Sequence, residues 1–441
     1  MASRIFGRSG PLSVLASSVL FSASACAAQF HWGELEGQFD SALSFGTSIA
    51  TANPDPALHL SANSDDGRLN FASGDVFSAV FKGTHDLELK HDNLGVFLRG
   101  TYWYDTALRD HDQRFKQVED NNRKRSAKTA GSQLLDAFGY YLYDIDGQPG
   151  SLRLGKQVVN WGESTFIQGG LNVINPFNLA ALRRPGSEVK DALVPVNLFY
   201  FTQNLTEALS VDGFYQLDWE QTQLDNCGTF FSQPDIIADG CTDNLRVLNS
   251  SRTVPGAAQQ FLATQGVNIN EEGVMVRRGA DRDARDSGQF GVALRYMFDP
   301  LDTEFGAYFM NYHSRAPIFS ATGGPQSIYN LASSLQGPIA RLAPLLVAGN
   351  SQYFVEYPED IRLYGLSFST TLPTGTAWQG EVSYRPNAPV QLNSTDILFA
   401  GVTPLPGFQN ASLLQGTPGT DLHGYRRKEV TQFQTTLTHF F

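Results

Sequence analysis

Histidine, serine and carboxylate positions are where catalysis would show in this 441-residue chain, and their spacing argues against it. His85, His91, His313, His423 and His439 fall in different periodic runs or turns, and no two share one element at metal-ligand spacing. No H-E-x-x-H, G-x-S-x-G, P-loop or dinucleotide fingerprint occurs. A hydrolase acting on lipid or ester would need a Ser or Asp nucleophile beside a base, and no motif supplies the pair. Asp144-x-Asp146-Gly147 matches the start of a calcium loop without its closing Glu, and a hairpin turn accounts for it. The run Asp281-Arg282-Asp283-Ala284-Arg285-Asp286 could bind calcium or lipopolysaccharide phosphates, although mixed runs of this kind are usually solvated loops. The expectation is a chain without catalytic residues, metal or cofactor.

What remains is a stretch suited to selecting a solute. From Ser151 the chain reads S-L-R-L-G-K-Q-V-V-N-W-G-E-S-T-F-I-Q-G-G-L-N-V-I-N-P-F-N-L-A-A-L-R-R-P-G-S-E-V-K-D, ending at Asp191. Leu152 and Leu154 alternate with Arg153 and Gly155, the period of a strand. After Val159 the alternation stops. Asn178 to Arg184 reads as a short helix ended by Pro185 and Gly186. Arg183, Arg184, Glu188, Lys190 and Asp191 offer opposed charges; Trp161, Phe166, Phe177 and Leu179 offer an apolar lining. Folded back into a barrel, residues 159–191 would narrow the lumen, with Trp161, Glu163, Asn175, Phe177, Arg183 and Arg184 as the constriction or binding surface. A lid packed only on neighbouring loops is the alternative.

The elements that must hold this stretch alternate apolar and polar residues. Strands are expected near 34–49, 75–89, 94–104, 134–145, 151–159, 192–202, 208–219, 290–298, 304–312, 361–372, 376–385 and 430–441. Connections between them alternate long and short. The longest, about 220–286, contains Cys227 and Cys241, which are expected to form a disulfide in an exported chain. A helix broken by Pro338 and Pro344 is expected within 335–347.

Arg4 and Arg8 precede an apolar run from Pro11 to Phe21 and small residues to Ala28, the order of a secretory signal peptide. Ala25-Cys26-Ala27 places cleavage between Ala27 and Ala28; acylation of Cys26 is the weaker alternative. No later stretch has the roughly 18 consecutive apolar residues of a transmembrane helix. A net charge of -12 disfavours nucleic acid. These features describe an all-β chain: a signal peptide over 1–27, then a transmembrane antiparallel β-barrel of about twelve strands with long extracellular loops and short periplasmic turns. Tyr102-Trp103-Tyr104 resembles an interfacial aromatic girdle. A soluble all-β protein with long loops is the alternative.

The stretch V-V-N-W-G-E-S-T-F-I-Q-G-G-L-N-V-I-N-P-F-N, then L-R-R-P-G and V-P-V-N-L, resembles the outer-membrane family catalogued as domain of unknown function 1302. The resemblance runs from the signal peptide to the end. It implies location in the Gram-negative outer membrane, with the bilayer, lipopolysaccharide and the barrel-assembly machinery as partners. It also implies association with a resistance-nodulation-division exporter and a periplasmic partner, and transport of hydrophobic or amphipathic compounds such as lipids, sterols or fatty acids. Family members generally continue past Phe441 with more strands. Phe433, Leu437 and Phe441 resemble the C-terminal assembly signal, from which His439 departs. The expected function is a channel for such solutes, with a structural or accessory partner of an exporter as the alternative and a hydrolase behind both.

Overall fold

A computed structural model describes residues 17–22, 26–58, 61–163, 167–242, 245–248 and 250–439. Its main sheet has 14 antiparallel strands. Two edge pieces, Ser17–Ser22 and Cys26–Trp32, both pair with β1 (Leu35–Ile49). The sheet then meanders through β2 (Val76–His91), β3 (Leu94–Asp105), β4 (Ala130–Ile145), β5 (Gln148–Gln157) and β6 (Val196–Asn204). It continues through β7 (Leu209–Gln216), β8 (Phe290–Phe298), β9 (Thr303–Tyr312), β10 (Ile361–Thr371), β11 (Ala377–Gln391) and β12 (Tyr425–Thr438).

Alternation dictates the two faces. Lys82, Asp86, Arg99, Arg153, Asp212, Arg295 and Glu381 lie on one face, as the register Asp86↔Arg99 and Asp212↔Ala293 requires. The other face leaves large apolar side chains uncovered, among them Leu154 at 58%, Leu366 at 59% and Phe433 at 69% exposure. A sheet that shows its greasy face and hides its charges is inverted relative to water-soluble packing. Short turns at one end use left-handed residues, with Asp92 at φ 49° and Asp146 at φ 54°. No helix among the described residues is long and apolar enough to cross a membrane.

Three elements differ from expectation. β11 continues past Arg385 to Gln391 because a bulge between Arg385 and Ala388 absorbs Pro386 and Asn387. The helical region begins earlier, at Gln326–Ser334, and resumes over Ala343–Gly349. Pro338 and Pro344 stand in the first turns of a 3₁₀ helix over Gly337–Leu342 and of the helix Ala343–Gly349, where a missing N–H costs nothing, so they open helices here rather than break one. Finally, the described residues show no ladder between β1 and β12. The β1 edge that β12 would need is taken by residues 17–22 and 26–32, which include the expected cleavage point at Ala27 and Ala28. Phe441 lies outside the described residues.

The long connections after β7, β9 and β11 build a second layer at the sheet's loop end. It has a small sheet, Ile318–Thr322 with Gln352–Glu356 at its centre, and an apolar core including Leu262, Val274, Leu346 and Leu405. Cys227 and Cys241 are joined by a disulfide with Cα atoms 6.3 Å apart. The charged run around Asp281 is spent on structure: Arg282 pairs with Asp421 at 2.6 Å and Arg285 with Asp360 at 2.6 Å.

Candidate functional site

Between Gln157 and Val196 the chain leaves the sheet and crosses its polar face. Apolar residues fix the first arm. Val159, Trp161, Leu171 and Ile174 pack with Val196, Leu198, Phe214, Tyr308, Met310 and Leu363 in one core. Trp161 is 1% exposed, its ring 5.1 Å from that of Phe214 and 5.8 Å from that of Tyr308. Burial of a side chain this large contributes about 3 kcal/mol.

A wall carboxylate holds the same arm. Glu381 of β11 is 2% exposed, and its Oε2 accepts the Glu163 N–H at 2.8 Å while its Oε1 accepts the Leu171 N–H at 3.0 Å. Gln434 of β12 donates its side-chain amide to Oε1 at 2.5 Å. Two glycines permit the approach. A Cβ at Gly162, whose φ is +83°, would lie 2.4 Å from Glu381 Oε2, and one at Gly170 would lie 1.9 Å from Oε1. The motif W-G-E…G-G-L is thus a backbone cradle of N–H groups closed around an anion that the chain itself supplies.

Side chains hold the second arm. Asn175, 3% exposed, accepts from the Val159 N–H at 2.9 Å and donates to the carbonyls of Gln157 at 3.3 Å and Val194 at 2.9 Å, tying the arm's two ends together. Phe177 forms a bridge to Leu193, and its carbonyl accepts from Gln223 at 2.8 Å. Asn178 caps a helix over Leu179–Leu182. Arg183 pairs with Asp225 and lies over the Phe231 ring at 5.4 Å. Arg184 lies 4.3 Å from the Trp103 ring centroid and donates to the carbonyl of Ser126. Asp191, which is buried, accepts from the half-buried Lys82 of β2 at 2.6 Å. Pro185 rests on Gly46 of β1.

The segment therefore reaches β1, β2 and β3 at one end and β10, β11 and β12 at the other. The expected surface residues are not gathered on one surface: Trp161 is core, Glu163 lies at the Glu381 cradle, Asn175 and Phe177 organise the middle, and Arg183 and Arg184 anchor the far end. Sequence reading missed Glu381, Gln434 and Lys82. The available signal was their position: each is polar and falls on the same face of the sheet as Asp86 and Arg99.

With this geometry in view, comparison with known families returns one match, described as a protein of unknown function, DUF1302, over residues 9–440. The chain belongs to the DUF1302 family. No curated protein matches it. Among solved structures, this DUF1302 chain is similar to a mutant of the ferric enterobactin receptor PfeA from Pseudomonas aeruginosa. The identity is 9% and the TM-score 0.26, over 82% of this chain and 50% of that one. It is also similar to the outer membrane transporter YddB from Escherichia coli, at 6% identity and TM-score 0.28, over 96% of this chain and 54% of that one. The chain spans about half the length of these structures.

Two other constellations in the DUF1302 chain bear on chemistry. Ser41 Oγ lies 2.8 Å from His85 Nδ1 on the apolar face, with His85 stacked between Phe39 and Tyr102. No carboxylate bonds the imidazole among the described residues, and the surrounding strand N–H groups serve the β1–β2 and β2–β3 ladders, leaving no oxyanion donors. At the loop end, carboxylate oxygens of Asp65, Asp66 and Asp235 lie within 4.8 Å of one another. Lys116 Nζ stands 2.7 Å from Asp66 and supplies the counter-charge.

Proposed function

We propose that this protein is an outer-membrane β-barrel channel for apolar or amphipathic small molecules, its lumen narrowed by the segment between β5 and β6. The apolar face would meet lipid, the short turns the periplasm and the long connections the outside. Removal of the leader would free the β1 edge for β12, since a bilayer leaves no unpaired sheet edge satisfied. The observation that carries the reading is the segment's span: one stretch of chain touches Lys82 of β2 and Glu381 of β11, at opposite margins of the sheet.

The test is single-channel conductance of the full chain refolded in planar bilayers, beside a variant lacking residues 161–190. A larger conductance in the deletion variant supports a narrowed lumen; equal conductance, or none in either form, overturns it. A second reading, a non-conducting partner of an envelope exporter, is favoured by the packing of Trp161 and Leu171, which are 1% and 0% exposed. Silence of both forms would be its signature.

A further inference from the structure

Several inward-facing cations of the wall are paired with carboxylates, whereas Arg153 is flanked by rings. Arg99 lies 2.7 Å from Asp86 and 3.4 Å from Asp136. Arg295 lies 3.0 Å from Asp212 and 3.6 Å from Glu304. Lys82 has Asp191. Arg153, half-buried on β5, has no carboxylate within 4.0 Å among the described residues. Its neighbours are rings instead: the guanidinium carbon lies 5.9 Å from the Phe138 centroid and 5.7 Å from that of Tyr200. Tyr140 and Tyr200 stand directly opposite it on β4 and β6.

Two flanking rings orient the guanidinium and remove water from its faces, while its N–H edge keeps the fork that matches a carboxylate. Partial desolvation without a counter-ion is costly, and an incoming anion relieves that cost. The rings continue as an apolar track, because Phe138 packs on Phe97 at 5.5 Å. Tyr200 roofs the spot by packing against the Trp161 core. One strand away on the same face, Tyr140 borders a cavity of about 350 Å³ that also meets Glu88, Lys90 and Leu142. A small inorganic anion would gain nothing from the track, and a neutral hydrocarbon nothing from the guanidinium.

We propose that Arg153, Phe138 and Tyr200 form a binding station for an amphipathic carboxylate, with the carboxylate on Arg153 and the apolar body along Phe138 and Phe97. This rests on the channel reading and names its solute class. The test is isothermal titration of the full-length protein in dodecyl maltoside with octanoate, and with octanamide as the neutral isostere. Wild type should bind octanoate about tenfold more tightly than octanamide, the scale of a charge-assisted bidentate contact. Arg153→Gln should abolish that preference, Arg153→Lys should retain part of it, and Lys90→Gln, which removes an equal charge nearby, should leave it intact. No preference in wild type, an undiminished preference in Arg153→Gln, or an equal loss in Lys90→Gln overturns the station. Because no current is measured, a silent channel that binds octanoate would refute transport while leaving the station standing.

Discussion

The two arms of the segment between β5 and β6 are held by opposite means. The first arm offers two backbone N–H groups to one wall carboxylate, Glu381, and the sheet adds longer amide contacts, from Gln379 and Gln432 to the carbonyls of Glu163 and Gln168 at 3.3 Å, so its polar attachment centres on one side chain. The second arm is held by many side chains, including Asn175, Arg183, Arg184 and Asp191, spread over several neighbours. A backbone cradle concentrates dependence on one residue; distributed side-chain contacts dilute it. Loss of one contact should therefore release the first arm and only loosen the second.

Glu381→Ala is expected to have the largest effect. It removes the acceptor of the Glu163 and Leu171 N–H groups, each costing about 1–3 kcal/mol when buried and unsatisfied. Hydrogen exchange of the peptide spanning 160–172 should lose its protection while peptides of the second arm keep theirs; equal loss in both would erase the distinction. Gly170→Ala comes next, because its Cβ would intrude on Glu381 Oε1 at 1.9 Å. The same peptide should lose protection, whereas Gly147→Ala, at a hairpin turn with open space around it, should not touch this peptide.

Asn175→Ala is expected to cost about 2–3 kcal/mol, since it orphans the Val159 N–H and two carbonyls at once. The loss should appear as a lower melting temperature with both arms exchanging faster. Lys82→Ala should be milder within the second arm, because Asp191 still accepts the Glu188 N–H at 2.8 Å and Arg184 still lies on Trp103. A drop as large as that of Glu381→Ala would show the arms to be held alike.

Legibility followed the range of the interactions. Strands were readable because alternation is local: β8 runs from Phe290 to Phe298 as its pattern dictates, and the short helix ends before Pro185 as expected. β11 was read short because prolines usually end strands, and only pairing with Arg427 and Lys428 of β12 shows the bulge. The segment was visible as the unusual stretch, but its attachments were not. Glu381 sits 218 residues from Glu163, and nothing local in Gln379-Gly380-Glu381-Val382 marks that carboxylate as the one the glycine-rich motif encloses.

The smallest expected effect lies off both arms and serves as their control. Burial, and then the nearby Asp66 carboxylate, push Asp235 up to about 6. An acid whose folded value lies above its unfolded 3.8 binds more protons when folded. The cost of its ionisation is full above about 6 and vanishes below 3.8, so acid should stabilise these loops. Melting at pH 4.5 and 7.5 should show Asp235→Asn gaining stability over wild type at the higher pH and losing that advantage at the lower. Exchange in the two arms should not respond.

The most direct measurement is the single-channel conductance of Glu381→Ala beside wild type, both verified as folded by heat-modifiable migration and circular dichroism. If the first arm narrows the lumen and Glu381 holds it there, the variant conducts more than wild type or flickers to a larger open level. A folded variant with wild-type conductance would contradict the account, since the arm would then be released without opening anything.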